Sequence, residues 1–401
     1  MNVAFIAYEY PPYSFGGISS FSEDLSLSLS SAGIKITVIG LSYLRTITKE
    51  IINPNLTIIR VPTFNFPPRH LWWQTRNCNL IVNLLTKLNP DLIHSNSPVA
   101  TLPLRAYKKV SEVPQIVTIH GYNRRILEIL FANKELLQPK DFFAYVFFEP
   151  LYDMLLKIDL DISDCAVAVA QHLKNDLQNR FKMANVTTIH NGIAVEPVFS
   201  NNPVTGVGWE EHFDCLRKRS TTKIAYVGRL FCTKGIRYAL DAFSVLVRLH
   251  HPKDLEFNIY GDGPLKGVVQ KFVRSKESAG MVHYHGFIPR SQVMTELQKS
   301  DIVVFPSLYE ACPIALLEAL NLGKAVVVNN VPWSEEFVED RVNGIRVNTF
   351  DPIAFADSLF ELINNRELRE RISRNARKDI EKYSISKVAM LYANIYQNLL
   401  N

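Results

Sequence analysis

Two glutamates, Glu310 and Glu318, stand eight residues apart on either side of the predicted start of an apolar helix. Carboxylates accept hydrogen bonds, so this pair is suited to holding hydroxyl groups of a ligand. Taken alone, the spacing is also typical of a helix that carries one glutamate near its cap and another on its surface. The neighbouring residues favour the first interpretation.

The turn between the two glutamates has the composition of an anion site. Residues 302–306 form an apolar run, expected to be a buried parallel strand, and Pro313 suits the first turn of the next helix. The first N–H groups of a helix have no partner within it and lie at the positive end of its dipole. Those expected to face a phosphate belong to Ile314, Ala315 and Leu316. Glu310 and Glu318 would then contact hydroxyls on both sides of that phosphate, as in a nucleotide sugar.

Two cations, Arg229 and Lys234, follow another predicted strand end. Arginine offers a fixed fork of donors and lysine a mobile point charge, so together they could neutralise a diphosphate leaving group. A tight glycine loop follows the predicted strand at 257–260, and there a flat base could approach the backbone. Taken alone, this loop is typical of an ordinary turn. The glycines concerned in these two loops are Gly228, Gly261 and Gly263.

The first half of the chain holds two further candidates. Gly16 and Gly17 join the first predicted strand to a helix, whose free N–H groups suit an anionic or hydroxyl ligand. The alternative is a flexible turn before a helix. His120 follows the predicted strand 115–119 at its carboxyl end, where it should point into a cleft. A single histidine is more often structural, but its strand-end position and the glycine after it favour a functional role.

In this order the segments resemble the GT-B glycosyltransferases, specifically retaining family 4, also called glycosyltransferase group 1. The resemblance covers nearly the whole chain, and the order of six weak motifs makes it specific. The motifs are Gly16-Gly17, His120-Gly121, Asn191-Gly192-Ile193, the Gly228-to-Gly235 segment, Gly261-Asp262-Gly263-Pro264 and the pair Glu310 and Glu318. The chain departs from the family pattern at Ala194, where aspartate is common, and at Cys312-Pro313, which leaves the donor sugar open.

The resemblance implies transfer of a hexosyl group from a UDP- or GDP-linked sugar to an acceptor hydroxyl, with retention of configuration. The donor is a substrate, and neither a cofactor nor a metal is expected. The implied catalytic residues are His120, Arg229, Lys234 and Glu310, with His120 contacting the transferred sugar. The implied donor-binding residues are Gly16, Gly17, Gly228, Gly261, Gly263, Ile314, Ala315, Leu316 and Glu318. Two alternatives are a nucleotide-sugar epimerase of the same fold and a non-catalytic two-lobed sugar-binding protein.

Strands and helices alternate along the chain, which predicts an α/β protein with parallel sheets covered on both faces. The expected GT-B architecture has two Rossmann-like domains whose sheets face a central cleft, and 401 residues suffice for both. We predict an acceptor-binding domain at 1–190, a linker at 191–222 and a donor-binding domain at 223–375. By resemblance, residues 376–401 form a helix that crosses back to the first domain.

Metal binding and disulfides are not expected. The Asp159-Leu160-Asp161 motif precedes a predicted strand and so lies away from the cleft, and His283 and His285 have no third ligand nearby. Five scattered cysteines favour reduced thiols. The chain opens on a predicted strand rather than a signal sequence and has no run long enough to span a membrane, so we expect a cytoplasmic protein.

The net charge of +5 is unevenly distributed. Residues 60–125 contain nine cations and two anions, and nine minus two gives +7. Aromatic residues cluster nearby, at 64–73 and 142–156. Together they predict peripheral contact with anionic membrane at its inner face and a glycan or lipid-linked acceptor. The alternatives are ordinary solvated helix faces and two buried helices. No nucleic-acid module is recognisable, and the oligomeric state is not predicted.

Overall fold

The computed structural model describes residues 1–13, 16–64, 69–96, 112–132, 139–182, 185–195 and 221–401, and gives the backbone alone for residues 69–72, 123 and 139–149. Contacts divide the chain into two units. The first consists of residues 1–127, 138–194 and 383–401, and the second of residues 128–137 and 195–382. Most of the predicted linker, residues 196–220, lies outside the described ranges.

An eight-stranded sheet forms the centre of the first unit as far as it is described. Its strands are β1 (Asn2–Ile6), β2 (Lys35–Ser42), β3 (Thr48–Asn53), β4 (Leu56–Pro62), β5 (Leu92–Ser95), β6 (Gln115–Ile119), β7 (Cys165–Ala168) and β8 (Val186–Thr188). The order is β3-β4-β2-β1-β5-β6-β7-β8, and β3 pairs antiparallel with β4 while the other described pairs are parallel. Strands β1 and β2 are almost wholly buried, as apolar runs in a covered parallel sheet should be.

The helices along this part of the chain are α1 (Gly17–Ser31), α2 (Arg69–Leu88), α3 (Asn123–Ala132), α4 (Pro139–Ile162) and α5 (Gln171–Phe181). The sequence pattern predicts a long helical region over 124–158, and in the described residues this region contains α3 and most of α4. Pro150 lies inside α4 and does not divide it in two. The same pattern predicts a helix at residues 99–110, which lie outside the described residues.

The described part of the second unit contains a six-stranded sheet in which all the strands are parallel. Its strands are β9 (Thr222–Val227), β10 (Leu255–Tyr260), β11 (Val282–Gly286), β12 (Ile302–Phe305), β13 (Ala325–Asn329) and β14 (Ile345–Val347). Their order across the sheet is β11-β10-β9-β12-β13-β14. Its helices are α6 (Ile236–His250), α7 (Lys266–Val273), α8 (Arg290–Lys299), α9 (Ile314–Asn321), α10 (Pro332–Glu335), α11 (Pro352–Asn364) and α12 (Arg366–Asp379). Helix α6 buries Ile236, Leu240 and Phe243, the apolar stripe that its helical spacing predicts.

The last helix, α13 (Ile385–Leu400), belongs to the first unit and packs on α1. Ile193 anchors its start, since Ile193 N–H donates to Tyr383 O at 2.9 Å and Ile193 O accepts from Ile385 N–H at 2.8 Å. A Cβ atom on Gly192 would lie 2.8 Å from Ile385 Cα, which is too close for any side chain. The Asn-Gly-Ile motif therefore binds and positions the start of the C-terminal helix.

Candidate functional site

Lys234 and Glu310 form an ion pair at the carboxyl edge of the second sheet. Lys234 follows β9, and Glu310 lies in the loop after β12, the neighbouring strand. Lys234 Nζ lies 2.6 Å from Glu310 Oε2, and the two side chains are 29% and 13% exposed. Parallel neighbours end at the same edge of a sheet, which is how residues far apart in sequence meet here.

The second carboxylate oxygen of Glu310 also has a partner. Ser307 Oγ donates to Glu310 Oε1 at 2.8 Å. The carbonyl of Ser307 accepts from Trp333 Nε1 at 3.0 Å and Asn329 Nδ2 at 3.4 Å, so the loop is tied to buried side chains. Glu310 is therefore preorganised, and ligand hydroxyls would replace partners that are already in place.

Arg229 lies on the same strand end as Lys234. Its side chain is exposed, and it forms no ion pair within the described residues. Its carbonyl accepts from Tyr226 Oη at 3.0 Å. Burial, and to a lesser extent the nearby Glu310, raise the pKa of Tyr226 well above its ordinary value, so this hydroxyl remains a donor. The arginine backbone is thus fixed while its guanidinium stays available to an anion.

Glu318 is almost fully buried and pairs with Arg290, whose Nε lies 2.8 Å from Glu318 Oε1. Arg290 begins α8, after the loop that follows β11. A buried carboxylate needs a charge partner, and Arg290 supplies it. Sequence reasoning missed Arg290, because nothing in its local pattern marks it.

The start of α9 differs in one respect from expectation. Leu316 N–H donates to Pro313 O at 3.1 Å, so the prediction that this group has no partner was wrong. The tight first turn that Pro313 initiates causes the contact. Ile314 and Ala315 precede the first such bond, and their N–H groups keep the position that favours an anion.

The glycine loops of the second unit touch backbone to backbone. A Cβ atom on Gly261 would lie 1.8 Å from Gly228 O, and one on Gly263 would lie 2.6 Å from Leu230 O. Both loop glycines have positive φ, 140° and 155°. Leu230 N–H also donates to Asp262 O at 2.9 Å. Any side chain would force the two loops apart, so the glycines fix the surface beside Arg229.

His120 of the first unit is oriented by Asn96. His120 Nε2 lies 2.7 Å from Asn96 Oδ1, and Asn96 Nδ2 donates to Ser22 Oγ at 2.7 Å. Ser22 gives its own proton to Ile18 O, so it must accept from Asn96. Asn96 Oδ1 then accepts, and the proton of neutral His120 lies on Nε2. Nδ1 is left as a buried acceptor with no partner among the described residues.

A second histidine lies beside this contact on the same face of the sheet. His94 is fully buried, with Nε2 2.8 Å from Thr118 Oγ1 and Nδ1 2.6 Å from Tyr396 Oη. Burial lowers the pKa of both His94 and His120 to about 3, and His120 adds to the effect on His94. Both rings are neutral at ordinary pH. Tyr392 stacks on His94, so α13 forms one wall of this cluster.

The loop at Gly16 and Gly17 is described from Gly16 onward. Gly17 begins α1, and a Cβ atom on Gly16, with an extended φ of 172°, would meet no atom within 4 Å. Gly16 is thus not required by crowding in this structure. In the first turn of α1, the buried Ser19 Oγ has no hydrogen-bond partner among the described residues. This hydroxyl is an additional candidate contact for a ligand at the helix start.

The acidic segment that contains Asp159, Asp161 and Asp164 lies at the opposite edge of the first sheet from His120. Asp159 and Asp161 lie in the last turns of α4, and Asp164 Oδ2 accepts from Gln115 N–H at 2.7 Å, which places this acidic segment at the amino edge of the sheet. No group of three His, Cys, Asp or Glu side chains in the described residues is placed to hold a metal ion. Cys78, Cys165, Cys232 and Cys312 are free thiols.

The side chains described in the two aromatic segments are Phe64, Trp73 and those of residues 150–156, and they differ in exposure. Trp73 is fully buried and donates to Val61 O at 3.2 Å, so its assignment to a membrane interface was wrong. Leu155 and Leu156 are also buried, whereas Phe64 is 46% exposed under the Arg76 guanidinium. Within the described ranges, none of the helices combines the length and apolarity that crossing a bilayer requires.

Family models match both halves of the chain. The model for Glycosyltransferase Family 4 matches residues 15–197, and that for Glycosyl transferases group 1 matches residues 208–379. An uncharacterized glycosyltransferase of Methanocaldococcus jannaschii is 25% identical over 406 residues, which span 99% of this chain and 98% of the relative. The glycogen synthase of Mycobacterium tuberculosis is 22% identical over 419 residues, which span 99% and 94%.

Solved structures share the fold. Sucrose-phosphate synthase from Thermosynechococcus elongatus superposes with a TM-score of 0.78 at 17% identity, covering 99% of this chain and 98% of that one. HepE from Anabaena, in complex with UDP and glucose, superposes with a TM-score of 0.69 at 15% identity, and the match covers 99% of both chains. The two parallel-sheet units are those of a GT-B glycosyltransferase. Within that class, the chain belongs to family 4, also called group 1, of the glycosyltransferases.

Proposed function

We propose that this glycosyltransferase takes a UDP- or GDP-linked sugar as donor and moves its hexosyl group, with retention, to an acceptor hydroxyl. The pairing of Lys234 with Glu310 carries the proposal. A cation and a carboxylate in contact match a ligand whose anionic diphosphate adjoins sugar hydroxyls. The ligand would divide the pair, with Lys234 passing to phosphate and Glu310 to hydroxyls. The UDP and glucose in the HepE structure support this donor class.

In the proposed mechanism, Arg229 and Lys234 stabilise the departing diphosphate, aided by the N–H groups of Ile314 and Ala315. Glu318, steadied by Arg290, accepts from the ribose hydroxyls. The acceptor attacks the anomeric carbon on the face from which the diphosphate leaves. The acceptor hydroxyl proton passes to a phosphate oxygen, so no carboxylate has to form a covalent intermediate. Positioning and electrostatics lower the barrier.

His120 would complete the sugar contacts by accepting a hydrogen bond from a sugar hydroxyl at Nδ1, the nitrogen that Asn96 leaves without a hydrogen. Its pKa of about 3 keeps it an acceptor rather than an acid. This role follows from the family resemblance and from the tautomer. The acceptor would be a growing polysaccharide or a glycolipid at the cytoplasmic face of a membrane, reached without a metal cofactor.

A donor screen tests the proposal. The purified protein is heated with UDP, GDP and their common hexose conjugates, because a ligand that binds only the folded state raises the melting midpoint. The best donor is then incubated with and without a glycan acceptor, and the anomeric configuration of the product is read by NMR. Donor consumption without acceptor would favour the epimerase, binding without consumption the sugar-binding protein, and an inverted product would exclude retention.

A further inference from the structure

A cationic cavity lies in the first unit, apart from the His120 cluster. It has a volume of about 630 Å³ and lies among the start of α3, the second half of α4 and the end of α5. Four cations line it, Arg124, Lys157, Arg180 and Lys182, and the lining contains one carboxylate, Asp153. Four minus one gives a lining charge of +3.

Asp153 has little capacity for a further cation. Its Oδ1 accepts from Tyr122 Oη at 3.0 Å, and its Oδ2 accepts from Arg180 Nη2 at 2.8 Å. Lys157 and Lys182 are exposed, and within the described part of the chain neither forms an ion pair. The charges of Lys157 and Lys182 are therefore left for a ligand.

Helix stability explains only part of this charge. Arg180 and Lys182 lie at the carboxyl end of α5, where the helix dipole favours cations. Arg124 lies in the first turn of α3, where the dipole disfavours a cation, and no acidic residue accompanies it there. Lys157 lies more than a turn from the end of α4. An anionic ligand would explain why Lys157, which has no ion pair in the described part of the chain, lies beside Arg180 and Lys182.

The rim of the cavity is apolar and exposed. Met154 lines it and is 52% exposed, and Leu151, one turn earlier on α4, is 37% exposed. Lys157 follows on the same helix face, at i+3 from Met154. Apolar side chains that project beside cations suit an anionic head group with acyl chains next to it. We propose that this cavity binds the phosphate head group of a membrane lipid and so docks the first unit on an anionic bilayer.

Lipid binding at this cavity does not depend on the proposed function. Only its role, which is to bring the enzyme to a lipid-linked acceptor, rests on the proposed function. Binding is measured by co-sedimentation with vesicles of equal parts phosphatidylglycerol and phosphatidylcholine, and with pure phosphatidylcholine. Wild type should bind the anionic vesicles at low salt and be released at high salt. Lys157→Glu/Lys182→Glu should bind about 30-fold more weakly, or worse. The matched control Lys35→Glu/Lys87→Glu, with the same charge change on exposed lysines elsewhere in the unit, should bind nearly as wild type.

Other results would contradict either the proposed lipid site or the proposed transferase activity. No wild-type binding at low salt, or equal losses in both double variants, would exclude the cavity as a lipid site. A midpoint shift with glycerol 3-phosphate that Lys157→Glu/Lys182→Glu abolishes, without vesicle binding, would assign the cavity to a soluble phosphate. Met154→Gln should weaken vesicle binding while leaving any glycerol 3-phosphate shift unchanged. The donor-induced shift must persist in all variants, and its loss in wild type would instead contradict the transferase proposal.

Discussion

Lys234 Nζ and Glu310 Oε2 lie 2.6 Å apart, so the cation assigned to the diphosphate and the carboxylate assigned to the sugar are one ion pair. Sequence reasoning assigned them separate roles. Their contact means that these two charges balance each other and that both side chains are already held in place when no ligand is bound. Under the proposed function, a donor would separate the pair and offset the cost by binding both partners.

Removing either cation should slow catalysis strongly. Arg229→Ala and Lys234→Ala should each lower kcat, because each removes a preorganised partner of the developing phosphate charge. The loss should correspond to about 2–4 kcal/mol of transition-state stabilisation. Folding should change little, because both side chains are at least partly exposed. Steady-state kinetics measure the effect, with the exposed Lys253→Ala as control. A near-normal kcat in either folded variant would contradict the assignment.

The two glutamates should separate in binding experiments. Glu310→Ala should weaken binding of a nucleotide sugar more than binding of the bare nucleoside diphosphate. Glu318→Ala should weaken binding of both ligands. Arg290→Ala should resemble Glu318→Ala, because it removes the partner that holds that carboxylate. Calorimetric titration with both ligands compares the three variants. Equal loss of bare nucleotide binding in Glu310→Ala and Glu318→Ala would refute the division of roles.

Motif order and alternating periodicity were sufficient to predict the two α/β units and most of the candidate residues. Parallel strands end at one edge, so each residue just after a strand is a candidate by position alone. This reasoning identified His120, Arg229 and Glu310. The same signal was present at Asn96, which follows β5 as His120 follows β6, and it was overlooked.

Other features depend on tertiary contacts that no local pattern encodes. Arg290 meets Glu318 from another element, and Leu316 N–H finds Pro313 O in a turn tighter than expected. Strand β3 was missed because it is a largely exposed edge strand without an apolar run. Trp73 was read as interfacial from composition, although burial is decided by the face of α2 on which it lies.

Acid should destabilise the protein through its buried histidines. The folded pKa of His94 is lowered to about 3, below the ordinary value of about 6.5 for an unfolded chain. Below pH 6.5 the unfolded chain therefore binds a proton that the folded state excludes, and stability falls towards pH 3. His94 alone should cost about 2 kcal/mol at pH 5. Urea unfolding at pH 7.5 and at pH 5 measures the difference in unfolding free energy. His94→Gln should reduce the difference and the exposed His283→Gln should not; an unchanged difference in His94→Gln would contradict burial of a neutral ring.

Crowding rather than backbone strain should decide the cost of replacing Gly235. Gly235 and Gly280 have nearly the same φ, 70° and 74°, but a Cβ atom on Gly235 would lie 2.0 Å from Pro306 O while one on Gly280 would meet nothing within 4 Å. Gly280→Ala should therefore cost about 1–2 kcal/mol of unfolding free energy. Gly235→Ala should cost at least about 2 kcal/mol more. Chemical unfolding compares them, and equal losses would show that the loop at Pro306 yields freely.

The tautomer of His120 is the last testable feature. Asn96→Asp should keep the size of the side chain but place a carboxylate 2.7 Å from Nε2, in place of the amide oxygen of Asn96. A nearby negative charge stabilises the imidazolium, so the pKa of His120 should rise from about 3 towards the neutral range. Once protonated, Nδ1 becomes a donor and can no longer accept a sugar hydroxyl. Wild-type kcat/KM should lack a His120 limb above pH 5, whereas Asn96→Asp should lose activity as pH falls through the new pKa. Nitrogen NMR of the ring checks the protonation directly: a protonated Nδ1 in the wild type at pH 7 would refute the assignment, and Asn96→Leu, which cannot charge the ring, should lower activity without creating the acidic limb.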